Sequence, residues 1–190
     1  MSDRRQKLST LRLVSDLATL DQALYEAVTV TRTPTLDTAL RRLSAAADHS
    51  KLSFAVAGAL ALRGGRPRRA AALGVAAIGV ASATANLLGK QLVRRPRPHR
   101  AEDSPFPGRH VPMPQSASFP SGHTASAVAF AAAVGPALPV AAVPLGLLAC
   151  AVGYSRVHTG VHYPGDVVAG ALLGTGAAAL VLALAARSDV

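Results

Sequence analysis

A chain of 190 residues fits the size of one domain, and half of it is apolar, with 16% charged side chains, no Trp and a formal charge of +10. The single Cys150 excludes both a disulfide framework and a thiolate metal site. The excess of base has no aromatic stacking platform or binding module beside it and largely flanks apolar runs, which excludes nucleic acid as a partner.

In chain order, residues 1–12 are basic and read as loose, and the charges scattered through the first 30 residues leave no apolar core for a signal peptide. Residues 11–31 place Leu13, Leu17, Leu20, Leu24 and Val28 at steps of three or four, with Asp16, Asp21 and Glu26 between them. Residues 35–47 repeat the pattern with Leu36, Leu40 and Leu43 against Arg41 and Arg42. Both segments are amphipathic helices too polar to span a membrane, suited to its surface or to packing on a bundle.

Beyond them the charges vanish in blocks. Ala70 to Gly89 and Val167 to Ala186 are each 20 residues without a charge, and Thr124 to Tyr154 is another 31, broken at Gly135-Pro136-Ala137-Leu138-Pro139. At ~1.5 Å per residue a 20-residue helix reaches about 30 Å, the thickness of bilayer hydrocarbon. Leu52 to Leu62 is short, but with Ala45-Ala46-Ala47 before it the run resembles a span with a polar end in the headgroups. The spans predicted are 46–62, 70–89, 122–135, 139–154 and 166–186. The expected fold is all-α, a multi-span membrane helical bundle of about five spanning helices plus N-terminal amphipathic helices. Residues 1–45 form the interfacial part and 46–190 the membrane-embedded part. A soluble bundle with Ala-rich core helices is the alternative, set aside because several uncharged runs near span length are rare in soluble cores. Gly170 and Gly174, at i and i+4, suit close helix approach, and Cys150 is expected to pack against a neighbouring helix. Arg63, Arg66, Arg68 and Arg69, in one interspan loop, read as a contact with anionic lipid or a cytoplasmic anchor.

The polar residues collect at the helix ends. Lys90-Gln-Leu-Val-Arg-Arg-Pro-Arg97-Pro98 closes one span in a dense cationic cluster, and six prolines between 98 and 120 predict a structureless loop after it. Ser121 is a good N-cap for the next helix, whose free N–H groups form an anion site that His123 would face. Residues 155–166 hold Arg156, His158, His162 and Asp166 between two apolar runs. With Pro164 starting a helix, Asp166 lies one turn beyond His162 and can accept from one ring nitrogen, leaving the other unprotonated as a nucleophile requires. Arg156 offers a planar fork of donors for phosphate oxygens. His158 is placed to line this site without an assigned role, and His49 to cap a surface helix. His99 and His110 bring the histidines of the region to five, but no His-Glu-x-x-His helix is present and zinc is not expected. The only other carboxylates between 90 and 166 are Glu102 and Asp103, so Asp166 alone cannot build a two-metal site and no cofactor is expected.

Taken together, Lys90…Arg97-Pro98, Pro120-Ser121-Gly122-His123 and Ser155-Arg156…His162…Asp166 resemble the three-part signature of the type 2 phosphatidic acid phosphatase family, which shares its site with vanadium haloperoxidases. The resemblance covers about residues 46–186. It implies an integral membrane phosphatase acting on a lipid phosphomonoester or diphosphate, with the site on the outer face of the cell membrane. It further implies that His162 attacks phosphorus and becomes a phosphohistidine, that Asp166 orients it, and that His123 protonates the leaving oxygen and then activates water. Lys90, Arg97, Arg156, Ser121 and Gly122 would bind the phosphate. A haloperoxidase using the same pocket and a non-catalytic protein that binds or moves lipid phosphates are the rival readings.

Overall fold

The computed structural model describes residues 2–100 and 106–188, and every regular element among them is helical. The amphipathic pair is α1 (Ser2–Val30) and α2 (Pro34–Ala46); then follow α3 (Lys51–Ala61), α4 (Gly65–Leu92), α5 (Gly122–Val134), α6 (Pro139–His158) and α7 (Pro164–Ser188). Glu102 and Asp103 lie outside the described residues. The N-terminal segment expected to be loose is part of α1, which contains neither Gly nor Pro to break a helix.

The three helices long and apolar enough to cross a membrane are α4, α6 and α7, of 28, 20 and 25 residues. Their outward faces carry exposed Val75, Leu87, Val143, Leu147, Leu172, Leu180 and Leu184, the arrangement a lipid-facing surface requires. The fold is thus the expected all-helical membrane bundle, with three helices of spanning length among the described residues where about five were expected. α5 has 13 residues and α3 has 11, about 20 Å and 16 Å at ~1.5 Å per residue, short of the ~30 Å hydrocarbon core. The predicted 46–62 helix is broken because His49 and Ser50 both adopt left-handed backbone (φ 55° and 59°), a conformation that costs a side-chain-bearing residue about 1–3 kcal/mol.

Short α5 occupies the centre, packed against α4, α6 and α7, with Ala125, Ala129, Phe130, Ala133 and Val134 buried. Gly170 and Gly174 are what let α7 lie on it. A Cβ at either would collide with the carbonyl of Ser121 or Ala125, which gives the small-residue pair its reason. Cys150, expected to be packed, is exposed instead, because Ala149 takes the inward position on that turn of α6.

Helix direction gathers the polar ends. The C-terminus of α4, the N-terminus of α5 and the link from α6 to α7 share one end of the bundle, where Ser121 N–H donates to the Asp166 carbonyl (2.9 Å). Among its described residues the Pro-rich segment before α5 contains one short 3-10 turn, Pro107–Arg109, and these residues are firmly held. Arg109, 1% exposed, donates to the carbonyls of Val28, Thr29 and Thr31 at the end of α1 and pairs with Asp37 (3.1 Å). Arg100 donates to the carbonyls of Val111, Thr159 and Gly160.

Candidate active site

The turn between α6 and α7 sets the central pair. Pro164 opens α7 as the sequence predicts, so Asp166 falls in its first turn, fully buried. Its Oδ2 accepts from the Tyr163 N–H (2.9 Å) and the Ser118 hydroxyl, and lies 3.4 Å from His162 Nδ1. A buried carboxylate needs this many partners, since an unpaired buried charge costs several kcal/mol. His162, 2% exposed, therefore presents Nδ1 to Asp166 and Ser118 (3.4 Å each) and Nε2 to Arg97 Nη1 (3.3 Å). With the proton on Nδ1, the lone pair is on Nε2.

A cavity of about 440 Å³ is lined by Lys90, Gly122, His123 and Arg156 together with Asp48, His49 and Asn86, while His162, Asp166 and Arg97 lie outside its lining. Lys90 comes from the last turns of α4, where the helix widens into a π turn over Thr84–Gly89. Its Nζ donates to Asn86 Oδ1 (2.7 Å) and Ser116 Oγ (3.2 Å), and the same Ser116 Oγ accepts from Arg97 Nη2 (3.3 Å). Ser116 thus links the cavity's lysine to the arginine that faces His162. Arg156, 2% exposed, donates through Nη1 to Ser44 Oγ (2.6 Å) and stands 3.8 Å from Asp48 Oδ1. Its Nε is buried without a partner, a donor that an anionic oxygen could satisfy.

Two of the predicted phosphate ligands are placed less directly. Arg97 spends its donors on the carbonyls of Val161 (2.8 Å), Ser116 (2.8 Å) and Ala117 (3.3 Å) besides His162. Ser121 is the N-cap of α5 as predicted, but it is fully buried and its Oγ accepts from Thr124 Oγ1 (3.0 Å) and Thr124 N–H (3.5 Å). His123 lies in the first turn of α5, with Nε2 2.7 Å from Asp48 Oδ1.

Asp48 and Ser118 bond predicted site residues, His123 and Asp166, and were not legible as such. Asp48 was read as the polar end of a span; the left-handed turn at His49 and Ser50 instead swings it onto His123. Ser118 stands two residues before Pro120 in a loop with no periodicity to place it. His158 does not line the cavity. Its Nε2 pairs with Asp37 (2.9 Å) and its ring tilts against Tyr154, because at the end of α6 it faces α2. His49 caps no helix and sits exposed at the cavity rim. Among the described residues no group of three or more His, Cys, Asp or Glu side chains is placed to hold a metal ion.

Burial pushes the His162 imidazole down to about 4; the Asp166 hydrogen bond opposes this, while the charges of Arg97 and Arg156 add to it. The ring is neutral at pH 7, with its lone pair available without prior deprotonation. The sign for stability follows: a depressed histidine stabilises the fold above its unfolded value near 6.5, and that contribution is lost as pH falls through 4. Ring-labelled protein in detergent should show one histidine resonance, missing in His162→Gln, that does not shift between pH 7.5 and roughly 5. A midpoint near the usual 6.5 would contradict the buried environment described.

The sequence model of the PAP2 superfamily matches residues 70–189. Decaprenylphosphoryl-5-phosphoribose phosphatase of Mycobacterium tuberculosis is 43% identical over 136 residues, which cover 68% of each chain. Lipid A 1-phosphatase of Rhizobium johnstonii is 40% identical over 98 residues, 47% of this chain and 37% of that one. Among solved structures, Aquifex aeolicus LpxE is similar with a TM-score of 0.70 and 28% identity, over 86% of this chain and 94% of that one. The transmembrane PAP2 type phosphatidylglycerolphosphate phosphatase from Bacillus subtilis gives 0.71 at 23% identity, over 90% and 87%, a likeness of fold.

Proposed function

The chain belongs to the PAP2 superfamily and is a membrane lipid phosphatase of that type, and from this premise we propose that it hydrolyses a lipid phosphomonoester of the polyprenyl-linked sugar phosphate class through a phosphohistidine at His162. The observation that carries the reading is His162, held by Asp166 on one ring nitrogen and facing Arg97 on the other, with Ser116 joining Arg97 to Lys90 of the cavity. The substrate class is taken from the mycobacterial relative, whose name specifies a decaprenylphosphoryl-5-phosphoribose. Relatives named as phosphatases leave no support for a haloperoxidase or a non-catalytic carrier.

In this mechanism His123, held down at about 4 by burial and the Arg156 charge against the pull of Asp48, takes up a proton as the anionic phosphate binds. The Nε2 lone pair of His162 attacks phosphorus, the bond from phosphorus to the lipid oxygen breaks, and the His123 imidazolium gives that oxygen its proton. A water then attacks the phosphohistidine while His123 takes a proton back; the P–N bond breaks, and inorganic phosphate and neutral His162 are restored. A phosphoryl group entering between His162 and Arg97 exchanges a neutral N–H···N contact for stronger N–H···O bonds to anionic oxygens. Lys90, Arg156 and the N–H groups at the start of α5 around Gly122 spread positive charge over those oxygens, which is what phosphoryl transfer chiefly needs. Ser121 acts by setting that helix start.

Residues 46–190 form the catalytic bundle and 1–45 its interfacial helices, with Ser44 the point where α2 reaches Arg156. Arg63, Arg66, Arg68, Arg69 and Arg187 lie at the end of α4 and α7 remote from the site, which supports, with the family resemblance, a site on the outer face.

The test is phosphate release from a panel of lipid phosphates and diphosphates by purified protein in detergent. Turnover should survive excess EDTA and be inhibited by vanadate, which adopts the five-coordinate geometry of the transition state. Strict dependence on magnesium or zinc rejects the mechanism. For the outer-face assignment, intact expressing cells should hydrolyse a membrane-impermeant short-chain substrate; hydrolysis only after permeabilisation rejects it.

A further inference from the structure

We propose that Arg95 and Asp21 are positioning residues for the His162–Asp166 pair, which makes the surface helix α1 a working part of the site; this rests on the roles given above to His162 and Asp166. Asp166 uses Oδ2 for Ser118, Tyr163 and His162, while its Oδ1 accepts from Arg95 Nη1 at 3.0 Å. Among the described residues Arg95 is the one guanidinium within ion-pair reach of this fully buried carboxylate. It therefore holds the plane of the Asp166 carboxylate, and through that plane the direction of the His162 ring.

Arg95 is itself clamped. Its Nη2 donates to Asp21 Oδ2 of α1 at 2.6 Å, and its guanidinium carbon lies 4.0 Å over the Tyr163 ring, which packs in turn on Tyr25 of α1 (5.3 Å between centroids). The other Asp21 oxygen accepts from the Gly165 N–H at 2.6 Å, one residue before Asp166. Asp21 thus grips both the arginine and the first turn of the helix that carries Asp166. The link is mostly sheltered, with Arg95 27% and Asp21 12% exposed, in a groove whose walls are Leu17, Leu20 and Leu24 of α1 and Val168 and Leu172 of α7. Shelter of this kind strengthens an ion pair relative to an open surface pair. The Arg95 guanidinium bonds Asp166 and Asp21 rather than His162, so its effect reaches the reaction through Asp166.

That separation fixes the expected kinetics. Misplacing a reacting group by ~1 Å costs about 100-fold in rate, so full-length Arg95→Gln should lose about 10- to 100-fold in kcat with KM unchanged within about twofold. Arg95→Lys, which keeps the charge but lacks the planar fork that spans both carboxylates, should recover part of the loss. Asp21→Asn keeps an oxygen for Gly165 and weakens only the grip on Arg95, so a loss of several-fold in kcat, again at constant KM, is expected. The same order should appear in the burst rate with an aryl phosphate, and thermal unfolding in detergent should show each variant folded at the assay temperature. Wild-type kcat in a folded Arg95→Gln, or a KM rise at constant kcat, overturns the proposal. If Arg95→Gln does not fold, Arg95→Lys and Asp21→Asn decide it: kcat reduced at constant KM supports it, and wild-type kcat in both overturns it. His162→Ala, measured alongside, separates the two readings. Turnover in that variant defeats the nucleophile assignment, whereas an inactive His162→Ala beside a fully active Arg95→Gln defeats this inference alone.

Discussion

His162→Ala should reduce phosphate release to the level of the buffer for every substrate, alkyl or aryl. His162 supplies the only imidazole bonded to Asp166, and burial keeps its Nε2 unprotonated and opposite Arg97. Alanine leaves the donors around the cavity in place but removes the bond-forming atom. A water in the vacated space has no base oriented behind it, since Asp166 Oδ2 is already taken by Ser118 and the Tyr163 N–H. Losses on removing an enzyme nucleophile run to about 10⁴–10⁶-fold. The checks are steady-state phosphate release and rapid-mixing measurement of the first turnover, with thermal unfolding to show that the variant folds. Any burst of product from His162→Ala would remove the phosphohistidine from the mechanism.

For His123→Ala the expected loss depends on the leaving group. This residue donates a proton to the departing oxygen, and such help contributes about 100- to 10,000-fold when the leaving group is strongly basic. A lipid alkoxide should show that loss in full. p-Nitrophenolate leaves without protonation, so phosphoryl transfer to His162 should be nearly unaffected, while hydrolysis of the phosphoenzyme still needs His123 as its base. The visible result is a burst of nitrophenol followed by slow turnover. The 2.7 Å contact with Asp48 belongs to the same argument: a carboxylate partner keeps the ring oriented through both proton transfers. An equal loss on alkyl and aryl substrates in the burst phase would show that His123 serves binding rather than proton transfer.

The sequence by itself determined the class and the principal candidates. Uncharged runs near 20 residues have few homes besides a bilayer, and the helix starts at Gly122 and Pro164 carry local signals, an N-cap serine and a first-turn proline. The i to i+4 spacing of His162 and Asp166 is a local relation too, so their contact was legible. Only the tertiary structure decided the rest. The loss of the 46–62 span turned on the left-handed pair His49 and Ser50, a backbone choice that hydrophobicity does not report, and the same turn carried Asp48 to His123, 75 residues away in sequence. Arg95 looked like one of several membrane-flanking cations, and Asp21 like one acid on the polar face of an amphipathic helix. The meeting of Arg95 with Asp21 and with Asp166, across separations of 74 and 71 residues, appears in no pattern. Local signals specify helix ends because caps and turns act within a few residues. Ion pairs between elements depend on how finished helices stack, and a periodic pattern fixes only which face is buried, not which partner it meets.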